Sequence, residues 1–338
     1  MDLNIIWFGL IGVLIMGYAV LDGFDLGVGA LYLILGKTQQ DRKALLQSIG
    51  PFWDGNEVWL LTGAGAIFAA FPLVYAKVFS GFYLCMMLVL LGLIVRAVSI
   101  EFRYQSESPA WQRRFDLMFA IGSIIPALLF GVAMGNIALG LPLDSNLNYT
   151  GGLLGLLNPY ALLLGLLGLC AFVLQGNTYI ILKNTGILQE NAKAILPKVW
   201  LAFIILYMIA SIASYLAAPT LFVNYTHHGW MYLAPLLVVF SLALIPWTLK
   251  NGRPLLGFIA SSAVISGLVA TLGFGIFPNL VPAVDPSRSL SIYNASSSQL
   301  TLKVMLIIAL IGLPLVLFYT AYVYYVFRGK VELDDHGY

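Results

Sequence analysis

Long apolar stretches, separated by short polar segments, run along almost the whole chain. A helix needs about 20 apolar residues to cross the hydrocarbon core of a bilayer. Nine stretches qualify, and each predicts a membrane-spanning helix: residues 5–35, 52–71, 74–99, 113–139, 159–183, 197–217, 230–249, 254–276 and 300–327. The more polar segment 38–48, between the first two stretches, predicts a short surface helix.

The composition agrees with this pattern. Of 338 residues, 60% are hydrophobic and 9% are charged, and the mean hydropathy is +0.92. Soluble domains carry about 25% charged residues, so the chain is predicted to be an all-α polytopic membrane protein. The net charge of +2 argues against nucleic acid as a partner. The first stretch follows no basic segment and reaches full spanning length, which predicts a retained span and not a cleaved signal peptide.

Basic residues predict the orientation, because cytoplasmic loops carry an excess of Lys and Arg. With nine spans, 14 of the 17 basic residues fall on one side of the membrane. Only Lys77, Arg288 and Lys303 fall on the other. The amino terminus is therefore predicted to lie outside and the carboxyl terminus in the cytoplasm.

A weak internal repeat predicts a duplicated architecture. The segment YLIL with QQDRKA (32–35 and 39–44) resembles YIIL with QENAKA (179–182 and 189–194), and each ends an inward-running span. The prediction is two four-helix bundles, 1–139 and 140–276, with 277–338 supplying an outer loop, an extra ninth helix and a cytoplasmic tail. In the second half, no span contains Asp, Glu or His, so the polar chemistry is assigned to the first bundle.

Five ionisable residues interrupt the first three apolar stretches: Asp22, Asp25, Asp54, Glu57 and Arg96. A charge at bilayer depth costs a few kcal/mol or more, so such residues usually face a protein interior and mark ion or proton pathways. The predicted orientation places all five between mid-depth and the cytoplasmic side. They predict a function that moves protons taken up from the cytoplasm.

Each of these residues also has a structural interpretation. Asp22 and Asp25 share one helical face, where two close carboxylates titrate as a coupled pair and can relay a proton; alternatively, each braces a neighbouring helix. Asp54 lies in the first turn of its helix, where capping and proton uptake are equally good interpretations. Arg96 is expected to pair with one of the carboxylates, because an unpaired buried guanidinium is more costly.

Four other residues near the same spans are weaker signals. Glu101 and Asp116 are closer to water, at the ends of the third and fourth stretches. Trp53 and Trp59 are interpreted by default as interfacial belt residues, with contact to a partner chain as the alternative.

The sequence offers no redox centre of its own. Its histidines, His227, His228 and His336, all lie in loops or the tail, and its two cysteines form no cluster. No span therefore offers an axial imidazole for haem or the ligands of an iron–sulfur cluster. No cofactor or metal is expected to bind this chain alone.

Several motifs together resemble one family. They are LDGFDLGVG (21–29), FWDGNEVWL (52–60), FSGFY (79–83), GVAMGN (131–136), LNP (157–159) and SSSQLTL (296–302). These motifs resemble subunit II of the cytochrome bd-type quinol oxidases, in order and over nearly the whole chain. The resemblance implies a nine-span, haem-free subunit of a prokaryotic cell (inner) membrane heterodimer.

The resemblance also implies partners and a reaction. Subunit I, similarly folded, would carry haem b and haem d, oxidise quinol and reduce dioxygen to water with cytoplasmic protons; a small single-span accessory subunit, lipid and quinone are further partners. The proton path implied for this chain runs through positions matching Asp22, Asp25, Asp54 and Arg96, with Glu57, Glu101 and Asp116 as further acidic candidates. Competing hypotheses are a free-standing proton-coupled transporter, which would place polar groups in both halves, and a purely structural scaffold.

Overall fold

The computed structural model describes residues 2–331. Residue 1 and residues 332–338, which include His336 and most of the predicted cytoplasmic tail, lie outside the described part. Within it the chain forms thirteen α-helices: α1 Leu3–Leu35, α2 Gln39–Ile49, α3 Trp53–Ala70, α4 Pro72–Gly81, α5 Tyr83–Phe102, α6 Pro109–Leu139, α7 Gly152–Leu156, α8 Pro159–Lys183, α9 Gly186–Ala217, α10 Val223–His227, α11 Leu233–Lys250, α12 Pro254–Ile276 and α13 Gln299–Val326. Two short antiparallel strands, β1 Asn279–Val281 and β2 Leu290–Ser291, precede α13.

Local signals set several helix ends. Thr38 and Asp41 form a capping box that begins α2, the short helix predicted over 38–48. Asn158 begins α8 by accepting a hydrogen bond from the amide of Ala161, and Pro159 follows at the first helical position. Ser298 caps α13 in the same way. These ends follow from sequence alone because each cap is a local side-chain contact.

Eight of these helices are long and apolar enough to cross a membrane. They are α1, α5, α6, α8, α9, α11, α12 and α13. The predicted second span corresponds to α3, which has 18 residues but begins with the polar sequence WDGNE and is not among the eight. The chain is thus an all-helical polytopic membrane protein with eight candidate spans, and the ninth, α3, remains a prediction.

The third predicted span, residues 74–99, is wrong because this segment is not one continuous helix. Instead, α4 ends at Gly81 and α5 begins at Tyr83, with Phe82 between them in a non-helical conformation. Phe82 is buried and stacks on Tyr149 of the loop that follows α6. The break therefore directs the Phe82 side chain into the core. Its contact with Tyr149 is tertiary, so the local sequence pattern does not predict it.

The first helix is the centre of the molecule. Of its neighbours, α3, α6, α8 and α12 make the most extensive contacts with it. It approaches α8 most closely at two glycines, since a Cβ on Gly27 would lie 1.8 Å from the Phe172 carbonyl oxygen and one on Gly176 would lie 2.4 Å from the Gly27 carbonyl carbon. Small residues at such crossings let membrane helices approach backbone to backbone. The division into two four-helix bundles remains a prediction.

The two ends of the helix array differ in charge. One end holds Lys77 and Arg288, which donate hydrogen bonds to the carbonyls of Asn146 and Leu143 in the loop after α6. In that loop the backbone amide of Asn148 donates to the Asp144 carboxylate and holds its pKa below the usual value. The opposite end, called the basic end below, includes the carboxyl ends of α1, α8 and α13 and most of the basic residues. At this end the Lys330 ammonium donates to the carbonyls of the last turn of α8.

Candidate proton-transfer site

A buried cluster of charged side chains connects α1, α3 and α5. The Arg96 guanidinium of α5 lies 2.7 Å from the carboxylate of Asp22 on α1 and 3.1 Å from that of Glu57 on α3. The side chains of Arg96 and Asp22 are 1% and 0% exposed, whereas that of Glu57 is 28% exposed. The expected pairing of Arg96 with a carboxylate is confirmed, and the cluster leads from the interior to the edge of the chain.

The backbone packing of α6 holds Arg96 in this position. A Cβ added at Gly122 of α6 would lie 2.8 Å from the Arg96 backbone nitrogen. This glycine lets α6 lie directly behind α5, which leaves the Arg96 side chain to extend towards α1 and α3. Removing Arg96 from water in this way is tolerable because two carboxylates compensate its charge.

Asp25 lies one helical turn beyond Asp22 and belongs to a second set of contacts. Its Oδ2 accepts a hydrogen bond of 2.8 Å from the amide of Asn56 on α3. The same amide group donates to the Leu21 carbonyl, and its oxygen accepts from the Tyr324 hydroxyl of α13 at 3.1 Å. Asn56 thereby links three helices and fixes one oxygen of a fully buried carboxylate.

Asp54 lies at the outer edge of this region, in the first turn of α3. The helix begins after Phe52, whose side chain makes no capping hydrogen bond, and Asp54 is the acidic residue of its first turn. This position favours an interaction with the helix dipole, so capping and proton uptake both remain interpretations of Asp54. Asp54 is exposed, and with the half-buried Glu57 it forms the most accessible part of the carboxylate series.

The tryptophans on α3 are not interfacial belt residues. Trp53 is 8% exposed and Trp59 is 7% exposed, and Trp59 packs against Gly17 of α1. The default interpretation of both is therefore wrong. A belt residue requires a helix face open to the bilayer, and both of these side chains are buried within the chain.

Asp116 lies in a separate cluster at the basic end. Its carboxylate accepts hydrogen bonds from Arg103 at 2.6 Å, from Arg42 at 2.6 Å and from the Tyr32 hydroxyl at 2.8 Å. Such charge-assisted bonds are among the stronger ones in proteins. They tie α1, α2 and α6 together and favour a structural role, so a part in proton transfer remains only a prediction for Asp116. Glu101 is exposed near the end of α5, and its part in the path also remains a prediction.

Several polar atoms of the first cluster are buried without a hydrogen-bond partner among residues 2–331. They are Asp22 Oδ2, Asp25 Oδ1, the Tyr18 hydroxyl, and Nε and Nη1 of Arg96, whereas Asp22 Oδ1 is paired with Arg96 Nη2 at 2.7 Å. Buried polar atoms nearly always bond to protein or to ordered water. Ordered water bonded to these atoms would connect the carboxylates into a medium suitable for proton transfer.

Sequence reasoning missed three residues of this site. Tyr18 lies on the same face of α1 as Asp22 and Asp25, four and seven residues before them, and that spacing could have identified it. Asn56 lies within the WDGNE motif, but uncharged amides give no energetic signal as strong as a charge. Tyr324 is 268 residues from Asn56 in sequence and could be found only from the fold.

Neither described histidine lies in a candidate membrane-spanning helix. His227 and His228 are exposed near the end that holds Lys77 and Arg288, in α10 and directly after it. Within residues 2–331 there is no group of three or more His, Cys, Asp or Glu side chains able to hold a metal ion.

Comparisons with known proteins agree with the motifs. Residues 3–327 match the family model described as cytochrome bd terminal oxidase subunit II. The chain is 36% identical to the Escherichia coli K12 protein named cytochrome bd-I ubiquinol oxidase subunit 2, with coverage of 98% of this chain and 96% of that protein. It is also 36% identical to the Bacillus subtilis protein named cytochrome bd ubiquinol oxidase subunit 2, covering 98% and 97% of the two chains.

A solved structure supports the fold. A chain in the structure of bd oxidase from Geobacillus thermodenitrificans superposes with a TM-score of 0.78 at 17% identity, covering 97% of this chain and 99% of that one. At this identity the likeness concerns the fold alone. The sequence motifs, the family match and the two relatives together settle the relationship: this chain belongs to the cytochrome bd terminal oxidase subunit II family.

Proposed function

We propose that this chain carries protons from the cytoplasm towards the oxygen-reducing centre of a bd-type quinol oxidase. As a family member, it is a subunit of an oxidoreductase complex in a bacterial membrane. The haems of type b and d belong, in this proposal, to the partner subunit I. The observation that carries the proposal is the Asp22–Arg96–Glu57 cluster, which connects a fully buried carboxylate to a partly exposed one.

The proposed path begins at Asp54 and Glu57 on α3 and continues to Asp22 and Asp25 on α1. Exposure falls along this order, since Asp54 is exposed, Glu57 is half-buried and both α1 carboxylates are fully buried. With the amino terminus outside, α1 runs inward and these residues lie between mid-depth and the cytoplasmic side. Protons taken up at Asp54 would therefore move inward from the cytoplasm.

Each residue has a distinct part in this proposal. The carboxylates bind and release protons, whereas Arg96 stays charged because guanidinium is not deprotonated in proteins. Its charge lowers the cost of burying the Asp22 carboxylate, 2.7 Å away. Asn56 cannot carry a proton as a carboxylate does, so we assign it the positioning of Asp25. Water bonded to the unpartnered carboxylate oxygens would complete the path.

The surface beside the path is suited to the haem-bearing partner. Leu61 and Phe68 of α3 and Leu88 and Leu91 of α5 are exposed. By contrast, the part of α1 that carries the carboxylates is covered on all sides by other helices of this chain. We therefore infer that subunit I contacts α3 and α5 directly, and that α1 reaches it only through them.

The test uses isosteric substitutions in the assembled complex. Asp25→Asn and Glu57→Gln remove a protonatable group with little change in volume, and should slow oxygen consumption while haem content stays normal. Asp285→Asn is the matched control, because Asp285 is an exposed carboxylate that also pairs with an arginine, Arg288, at 3.1 Å. If both cluster variants assemble and turn over as fast as the control, this chain does not deliver the protons.

A further inference from the structure

The second half of the chain contains a pocket at the basic end, away from the carboxylate cluster. Four helices form it: the last turns of α8 and α11 and the first turns of α9 and α12. Its volume is about 150 Å³. Apolar side chains such as Ile181, Leu196 and Leu249 form much of its wall, while Lys193 and Arg253 also line it. An apolar cavity with two cationic side chains favours a ligand that is anionic at one end and apolar at the other.

Positive charge is concentrated around this pocket. The Lys193 ammonium is 2.8 Å from Glu190, whose side chain is 68% exposed and whose attraction is therefore weakened by solvent. Lys330 lies close enough to contribute, since its ammonium donates to the carbonyl of the lining residue Ile181 at 3.2 Å. Arg253 has its guanidinium over the ring of Trp247 at 5.3 Å. The two lining cations and Lys330 outnumber the single carboxylate of Glu190.

The start of α12 adds to the attraction for an anion. Pro254 and Gly257 of its first turn line the pocket, and no side chain caps the helix. Pro254 has no N–H, and the Gly257 amide donates to the Arg253 carbonyl at 3.2 Å, so the attraction comes from the helix dipole, which is positive at this end. Phosphate groups bind readily at such positions. This contribution is independent of the two cationic side chains and acts on the same cavity.

The surroundings of the pocket favour a lipid over a free anion. Trp247, Leu255 and Leu256 are exposed beside the mouth, at 45%, 57% and 37%. Exposed tryptophan is typical of the bilayer interface, so the mouth lies at headgroup level with apolar surface continuing outward from it. Acyl chains can cover that surface, which a free phosphate would leave exposed.

We propose that this pocket binds the phosphate headgroup of an anionic phospholipid, held between Lys193, Arg253 and the first turn of α12. Basic pockets between membrane helices on the cytoplasmic side are suited to acidic headgroups. In the predicted orientation the basic end faces the cytoplasm, which places the lipid in the cytoplasmic leaflet. The inference does not depend on proton transfer through the first half of the chain.

The experiment is a lipid titration of the purified complex in detergent, followed by native mass spectrometry. Phosphatidylglycerol and phosphatidylcholine with identical acyl chains are compared. The complex should retain phosphatidylglycerol preferentially, and Lys193→Gln with Arg253→Gln should weaken its binding about 30-fold. The charge-retaining pair Lys193→Arg and Arg253→Lys should bind phosphatidylglycerol within about threefold of the unmodified complex. The control pair Lys198→Gln and Lys250→Gln removes exposed charges outside the pocket. Its binding should also stay within about threefold.

Three outcomes would overturn the proposal. One is equal retention of the two lipids by the unmodified complex. Another is unchanged phosphatidylglycerol binding by the Gln pair in complexes with normal haem absorption. The third is displacement by millimolar inorganic phosphate as effectively as by added phosphatidylglycerol, which would assign the pocket to a free anion. Because the readout is binding, slow oxygen consumption in any variant would not affect the conclusion.

Discussion

The pair of Asp22 and Arg96 offers the sharpest test of how the buried cluster works. Asp22→Asn replaces the carboxylate with an amide of nearly equal volume, so packing changes little. Arg96, 1% exposed, then keeps only Glu57 at 3.1 Å. Leaving a buried charge wholly uncompensated costs about 3–5 kcal/mol. Because one of two carboxylates remains, we expect the complex to lose about 2–3 kcal/mol of stability, at or just below the lower end of that range.

Turnover should fall by more than this stability loss can explain. The amide that Asp22→Asn introduces cannot accept and release a proton, and positioned acid–base groups typically contribute at least about 100-fold. We therefore expect oxygen consumption per haem to fall by about that factor while haem content remains measurable. The assay combines oxygen uptake with the haem absorption spectrum of the same preparation, so that rate and assembly are separated.

The double variant Asp22→Asn with Arg96→Gln separates a relay from a brace. It removes both charges, and replacing a whole buried ion pair is often close to neutral for stability. Assembly should recover towards that of the unmodified complex, while turnover stays low because the Asp22 carboxylate is still absent. If the double variant recovers full turnover as well as assembly, no proton passes through Asp22 and its role is to balance Arg96.

Three further predictions follow from other contacts. Asn56→Leu should reduce turnover and lower stability by about 1–3 kcal/mol, measured by thermal inactivation, because it leaves a buried oxygen of Asp25 without its donor; unchanged values would remove Asn56 from the site. Asp116→Asn should lower assembly, measured as haem per complex, by removing the shared partner of two arginines, yet leave the rate per haem unchanged; a normal yield with a slow rate would place Asp116 in the path instead. Gly27→Ala should prevent accumulation of the complex on immunoblots, since the added Cβ would lie 1.8 Å from a backbone oxygen of α8, whereas Gly9→Ala, with no atom within 4 Å, should accumulate normally.

The sequence alone predicted the setting and most of the helices. Eight of the nine predicted spans correspond to helices of spanning length, counting the third only in its second part, α5. This succeeds because the bilayer imposes one strong local requirement, an apolar segment about 20 residues long. The sequence also identified Asp22, Asp25, Asp54 and Glu57, because a charged residue is costly in an apolar segment and stands out there.

Only the tertiary structure decided how those residues are connected. Asp22 and Arg96 are 74 positions apart (96 − 22), and their pairing depends on the close approach of α6 behind α5 at Gly122. Asp116, a weaker signal in sequence, lies between two arginines in a different cluster. The cost of burying a charge depends on a single position, so it can be estimated from the sequence. The partners of a buried charge depend on which helices pack together. Glycines such as Gly23 and Gly27 indicate close packing from sequence, but they do not identify the helix that packs against them.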